Sequence, residues 1–268
     1  MTDQRPLALI TGASSGIGLA LARHFGRRGY DLVVTADDQQ ISHAAQELAE
    51  TGADVQSTQL DLRHPDSVDE LYSVIAATNR PLHAAALNAG VGQSGAFLDT
   101  DLQDDLGIID LNVRSTVHLA KLVLRDMAAT GHGKVLVTSS VAAHMPGPYQ
   151  PIYNASKAFL QSFCEAVATE MEDLAQASIT VTALLPGPTD TEFFERADLT
   201  DTRLGQMNKD DPALVAEQAF DALMSGKRNA FAGSLKSRAM GAAARATPDR
   251  AASQFHRKLA EPGSGTSD

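Results

Sequence analysis

Hydrophobic and polar positions along the chain keep two rhythms that take turns. Residues 7–11 (Leu-Ala-Leu-Ile-Thr) are a short apolar run closing on glycine, as expected of a strand buried on both faces. Ile17, Ala20, Leu21, His24 and Phe25 then recur at helical steps up to Gly29. The pattern repeats: a strand over 31–36, a helix over 41–50, a strand over 55–60, and a helix opened by His64-Pro65-Asp66 that runs through Val68, Leu71, Val74 and Ile75. Next come a strand over 82–87, a long helical pattern over about 102–129, a strand over 134–138, an amphipathic helix over about 152–174 and a strand over 179–185. The break Pro186-Gly187-Pro188 follows, and a further helix spans 212–224 with Pro212 in its first turn. Such alternation predicts one parallel sheet with helices on both faces and right-handed crossovers, an α/β doubly wound fold in a single domain over residues 1–260. No linker or repeat interrupts it.

Composition narrows the function classes. Of 268 residues, 43% are hydrophobic and 21% charged, ordinary values for a globular protein. A formal charge of -11 argues against nucleic acid or an anionic membrane as the main partner. The lone Cys164, set among Phe163 and Ala166, reads as a core residue and fits a reducing compartment. Residues 1–6 carry no basic-then-apolar leader pattern, and no apolar run nears membrane-spanning length, so no integral membrane segment and a cytoplasmic location are expected. The eight histidines lack metal-ligand spacing, so no metal is expected.

The candidate chemistry lies at strand ends and helix starts, the edge where open α/β sheets bind ligands. Tyr153 and Lys157 stand four apart on one helical face, about 5–6 Å between Cβ atoms. A desolvated ammonium there would favour the phenolate, and bringing the phenol from about 10 down to about 7 would need roughly 4 kcal/mol. The turn from Thr11 to Gly18, with Gly12, Ser14, Ser15, Gly16 and Ile17, joins a strand to a helix N-terminus, a natural cradle for a pyrophosphate. Its spacing is G-x-x-x-G-x-G rather than the general G-x-G-x-x-G. Asp37, at the tip of the second strand and followed by Asp38, is placed to hold ribose hydroxyls and to repel a 2′-phosphate. No Arg or Lys stands between Arg28 and Arg63, which favours NAD(H), with NADP(H) possible.

Together Thr11-Gly-x-x-x-Gly-Ile-Gly18, Asp61-Leu62, Asn88-Ala-Gly90, Asn112, Ser140, Tyr153-x-x-x-Lys157 and Pro186-Gly187 resemble the short-chain dehydrogenase/reductase family in its single-domain, Rossmann-like branch. The resemblance covers residues 7–191, and Ser140 precedes Tyr153 by the family's usual 13 positions (153 − 140). It implies a tetrad of Asn112, Ser140, Tyr153 and Lys157 that interconverts an alcohol with a ketone or aldehyde by hydride transfer. Tyr153 would be the general acid/base, Ser140 would hold the substrate oxygen, Lys157 would lower the tyrosine pKa, and Asn112 would anchor a relay water. Asp61 and Leu62 would flank the adenine, Asn88 and Gly90 would steady the cofactor, and Pro186, Gly187, Thr189 and Thr191 would border the nicotinamide. A homodimer or homotetramer through the helices of Asn112 and Tyr153 is also implied.

Two features depart from that family's pattern. Its NAD-preferring members often carry the acidic residue where this chain has Ala36, one place before Asp37. The loop over 141–151 is rich in proline, and is expected to wall the substrate pocket with Met145 and Tyr149, leaving His144 facing solvent. Residues 190–211 are expected to form a lid, polar outside and apolar inside. From Gly226 the chain turns basic and reads as a helical surface segment, with 261–268 disordered. Two other functions fit the sequence: a non-catalytic NADH-sensing binding protein, and a lyase or epimerase. The first needs no proton relay, and the second usually carries different glycine spacing. A medium-sized, partly hydrophobic alcohol or ketone is the expected substrate.

Overall fold

The computed structural model describes residues 4–174 and 177–265. Seven parallel strands form one sheet in the order β3-β2-β1-β4-β5-β6-β7. They are β1 (Leu7–Thr11), β2 (Asp31–Ala36), β3 (Val55–Gln59), β4 (Leu82–Leu87), β5 (His132–Thr138), β6 (Ser178–Pro186) and β7 (Asn229–Ala232). The order reverses between β1 and β4, so a crevice opens at their C-terminal ends. β7 adds to the strands expected from the sequence, because four residues inside a basic stretch give too short a periodic signal.

Alternation along the inner strands builds two cores. Leu7, Leu9, Val33, Leu87, Val135 and Val181 face one layer, which includes α3 (Pro65–Ala77), α5 (Thr116–Thr130) and α6 (Pro151–Glu172). Ala8, Ile10, Leu32, Val34, Leu136 and Leu184 face the other, with α1 (Gly16–Arg27), α2 (Gln40–Ala49) and α9 (Pro212–Met224). β3 (Val-Gln-Ser-Thr-Gln) is the exposed edge, and its polar side chains fit that place. Cys164 is a buried core residue.

The pattern read as one helix over 102–129 is a helix of three parts. α4 (Leu102–Ile108) runs into a π-helical segment (Ile109–Ser115) and then α5. The wider π turn sets Asn112 fully inside, where its amide bonds the backbone of Val91. Hydrophobic spacing does not distinguish this extra residue from ordinary helix, and such bulges concentrate at functional sites.

Thr189 and Asp210 bridge in parallel, and two backbone bonds reinforce the closure, Asp190 N to Asp210 O and Asp210 N to Pro188 O, both 2.8 Å. The chain between them is a closed loop carrying α7 (Phe193–Arg196) and α8 (Arg203–Gln206), with Phe194, Ala197 and Leu199 buried in a small core of its own. Two helices follow β7: α10 (Leu235–Ala246) and α11 (Asp249–Ala260). Beyond α11 the backbone returns to this loop: Gly263 N donates to Asp201 Oδ2 and Gly265 N to Asp201 O, at 2.7 and 2.8 Å. Residues 261–265 are therefore docked where a disordered tail was expected, since Gly265 lets the backbone approach Asp201 and Gln206 closely; 266–268 lie outside the described residues.

Gly18 shows how tightly α1 is set on the sheet. A Cβ there would lie 1.9 Å from the carbonyl oxygen of Gly12 and 2.7 Å from Asn88 Nδ2. The obstacle is backbone, which has little room to give. Gly18→Ala is expected to destabilise the fold by about 2–3 kcal/mol or more, read as a lower urea midpoint with unchanged slope; an unaltered midpoint would contradict this packing.

Candidate functional site

A cavity of about 560 Å³ runs along the C-terminal edge of the central strands. One end is the glycine turn, where Gly12 (φ 64°) and Gly16 (φ 54°) occupy the left-handed region. Helix α1 starts here, with Ser15 as an extended cap that makes no side-chain cap bond and with no acid in the first turn. Its first N–H groups and positive dipole end therefore remain for an anion. Gly12, Ser14, Ser15, Gly16 and Ile17 all line the cavity. Gly18 does not, since it is spent on packing against Gly12.

At the tip of β2, Asp37 and Asp38 both line the cavity. They differ in what they face. Asp38 accepts from Ser14 Oγ at 2.9 Å and from Gln40 N at 2.9 Å, which aims it at the glycine turn. Asp37 is more exposed and lies 3.9 Å from Arg63 Nη2. Asp38 rather than Asp37 is thus the better-placed carboxylate. The expectation that no cation stands nearby also needs correction. The fold brings Arg63 to Asp61 (2.9 Å) and Asp37, and Arg196 of the loop to Asp38 (3.5 Å). The approaches to Asp37 and Asp38 are not visible as sequence adjacency. Leu62 lines the cavity, but Asp61 does not, because Arg63 holds its carboxylate, below the usual range, outside the wall; Leu60 takes its place.

Between the two ends, Asn88 ties three strands. Its Nδ2 donates to Thr11 O at 3.2 Å, its Oδ1 accepts from Thr138 Oγ1 at 3.0 Å, and its N–H donates to Thr11 Oγ1 at 2.9 Å. Asn88 and Gly90 line the cavity; Asn112 does not. The Asn112 side chain is committed to Val91 N and O, 2.9 Å each, and to Ser156 Oγ at 3.0 Å. It sits behind Gly90, where an added Cβ would lie 3.1 Å from Asn112 Oδ1 and 3.2 Å from Lys157 Nζ.

At the other end, Ser140, Tyr153 and Lys157 meet in the cavity wall. Ser140 Oγ accepts from Ala142 N at 3.1 Å and stands near enough to the Tyr153 hydroxyl to lower its pKa. Lys157 is 4% exposed, donates from Nζ to Thr138 O at 2.8 Å, and lies 5.7 Å from the Tyr153 ring centroid. Burial lowers the Lys157 pKa to about 8. Burial also pushes the Tyr153 phenol up to about 12, with Ser140 pulling the other way. Desolvation, not the neighbouring ammonium, therefore dominates the tyrosine here, contrary to the expectation from their spacing. Ser139 Oγ donates to Lys157 O at 2.8 Å, a bond to the helix backbone.

Pro186, Gly187, Thr189 and Thr191 border the cavity. Thr191 Cγ2 would be 2.9 Å from a Cβ on Gly16, so the loop begins hard against the glycine turn. Phe193 lies over Tyr153, ring centroids 5.2 Å apart. Met145 lines the cavity but Tyr149 does not; its positive φ of 68° turns it out to Glu261 Oε1 at 3.2 Å. His144 is half-buried against Phe231 rather than facing solvent, and burial lowers its pKa. Spacing alone does not reveal Gln150, Met240, Phe255, His256 and Leu259, which complete the lining. They reach it through tertiary contacts, for which the sequence holds no local signal. Among the described residues no group of three or more His, Cys, Asp or Glu could hold a metal, and no helix is long and apolar enough to cross a membrane.

The residues present fit a dinucleotide: free helix N–H groups for a pyrophosphate, carboxylates at the β2 tip for a ribose, and a buried cation beside a phenol at the far end. Comparison with known proteins agrees. The pattern of the short chain dehydrogenase family matches residues 6–201. Oxidoreductase UcpA of Salmonella typhimurium is 32% identical over 217 residues, covering 81% of this chain and 79% of that protein. A short-chain dehydrogenase from Sphingobium yanoikuyae, solved in complex with NADPH, is 30% identical with a TM-score of 0.77, covering 84% of this chain and 87% of that one. The bulky-bulky ketone specific alcohol dehydrogenase from Comamonas testosteroni is 28% identical with a TM-score of 0.74, covering 85% and 86%. The chain belongs to the short-chain dehydrogenase family of NAD(P)-dependent oxidoreductases.

Proposed function

We propose that this enzyme interconverts a secondary alcohol and a ketone, or a primary alcohol and an aldehyde, with Tyr153 as general acid/base. The convergence of Ser140, Tyr153 and the buried Lys157 in one cavity wall carries the reading. When bound, the nicotinamide gives hydride to the carbonyl carbon or takes it from the alcohol. In the reducing direction Tyr153, protonated at neutral pH, gives its proton to the substrate oxygen, and Ser140 fixes that oxygen by hydrogen bonding. As the phenolate forms, Lys157, whose Nζ lies 5.7 Å from the ring centroid, is the nearby cation that stabilises it. Asn112 acts at one remove, holding Val91 and backing Gly90 against Lys157. A relay water held near Asn112 would use backbone rather than its committed amide. A sensing protein without turnover is the second reading; the grouping of Ser140, Tyr153 and Lys157 in one cavity wall argues against it.

NAD(H) is the proposed cofactor, with NADP(H) the alternative. Asp37 and Asp38 stand where a 2′-phosphate would come, while Arg63 and Arg196 are already paired with acids. A second copy of the chain is the proposed partner. Leu102, Leu106 and Ile109 form an exposed apolar stripe at four- and three-residue steps, with Phe97, Leu98 and Phe159 also exposed.

Tyr153→Phe is expected to lower kcat by about 10³-fold or more while NADH binding, measured by calorimetry, stays within a few fold; NADH should also bind more tightly than NADPH. Surviving turnover would exclude the general-acid role, and tighter NADPH binding the cofactor preference. Lys157 makes a pH prediction. Its folded pKa of about 8 lies below the ordinary lysine value of 10.5, so between these values the unfolded chain holds more protons and folding strengthens as pH rises. Wild type should therefore gain stability relative to Lys157→Met across that window, up to roughly 3 kcal/mol. A pH-independent difference in denaturant midpoints would contradict the buried ammonium. Sedimentation should find a dimer or tetramer that Leu102→Glu with Leu106→Glu weakens; a wild-type monomer would contradict the self-association.

A further inference from the structure

We propose that Gln150 and His256 form a recognition subsite for a second hydroxyl on the substrate, remote from the reacting carbon. This rests on the alcohol/ketone reading above. Gln150 precedes the proline that opens α6, three positions before Tyr153. Its backbone is fixed on both sides: its N–H donates to Gly147 O at 2.9 Å and its carbonyl accepts from Asn154 N at 3.0 Å. The side chain is 2% exposed, lines the cavity, and its Nε2 has no hydrogen-bond partner among the described residues. A buried amide donor left without a partner costs about 1–3 kcal/mol. A half-turn about its last torsion exchanges the nitrogen and oxygen presented to a ligand.

His256 reaches the same cavity from α11, far along the chain. It is 4% exposed, and its Nδ1 lies 3.2 Å from Pro148 O, two residues before Gln150. A carbonyl only accepts, so Nδ1 carries the proton and Nε2 of the neutral ring is an acceptor. Burial holds the ring below the usual histidine pKa, in keeping with that neutral form. The second contact of the same helix end, Tyr149 to Glu261, clamps α11 to this loop from the outside.

Met145, Phe193, Met240, Phe255 and Leu259 supply the surrounding apolar wall. One amide and one imidazole acceptor in such a wall match a neutral group that both accepts and donates. A hydroxyl does this. A carboxylate would be repelled by the Nε2 lone pair, and an ammonium would find too few acceptors. The substrate class is thus a hydroxy-ketone, or the diol it corresponds to, with an apolar body between its two oxygens. Gln150 lies within the family match at 6–201, whereas His256 comes from residues 249–260 beyond it, so the subsite joins the Tyr153 helix to a segment outside that match.

The test uses the full chain and matched pairs of methyl ketones of increasing length, one member ending in methyl and the other in a terminal hydroxyl. Wild type is expected to favour the hydroxylated member about 10-fold or more in kcat/KM at one chain length. That ratio should fall toward unity in Gln150→Leu and in His256→Phe, and should largely persist in His256→Gln, which keeps a side-chain acceptor. A wild-type ratio near unity at every length overturns the proposal without reference to any variant's folding, and leaves the oxidoreductase reading standing because both ketones turn over. A preference that survives both substitutions in folded protein, checked by melting, also overturns it. No turnover of either member, with NADH or NADPH, removes the alcohol/ketone reading and this subsite with it.

Discussion

An ammonium sealed away from water is costly, and a large part of this structure consists of holding one in place. Lys157 Nζ donates to the carbonyl of Thr138 at the end of β5, and the lysine's own carbonyl accepts from Ser139, next along the same strand end. Gly90 leaves the room in which Asn112 and Lys157 approach one another. The π-helical turn rotates Asn112 inward to fill the other side. Breaking one partner of such an arrangement leaves a charge without compensation, which is why the surrounding positions are so closely fitted.

The same strand ends explain how a glycine turn and a distant tyrosine come to share one cavity. Asn88 bonds Thr11 at the end of β1 and Thr138 at the end of β5, and so locks the order reversal from both sides. The glycine turn and the Ser140–Tyr153 pair are thereby set along one strand edge. The loop from Thr189 to Asp210 crosses above, with Thr191 against Gly16 and Phe193 over Tyr153. Its ends are stitched together, so it forms one closed unit between β6 and α9.

What the sequence discloses, and what it withholds, follows the range of the interactions involved. The inner strands are legible because residues such as Leu9, Val33 and Val135 are buried by immediate periodicity. The glycine turn, Ser140, Tyr153 and Lys157 are legible because local spacing and family resemblance place them. Asp38 over Asp37 is not, since it depends on Ser14 meeting one carboxylate and Arg63 the other. Arg196 at the β2 tip, His256 on the carbonyl of Pro148, and the docking of residues 261–265 on Asp201 all join positions far apart in the chain. The π-helical segment and β7 stay hidden for a different reason, being too short or too similar to their flanks to alter the pattern.

α11 meets the 141–151 loop at two points, His256 on the backbone carbonyl of Pro148 and Glu261, just past the helix, on the Tyr149 hydroxyl. Replacement of residues along α11 would therefore reshape one wall of the cavity without touching Ser140, Tyr153 or Lys157. Selectivity in this architecture is free to drift, generation by generation, on a segment that the reaction itself does not police.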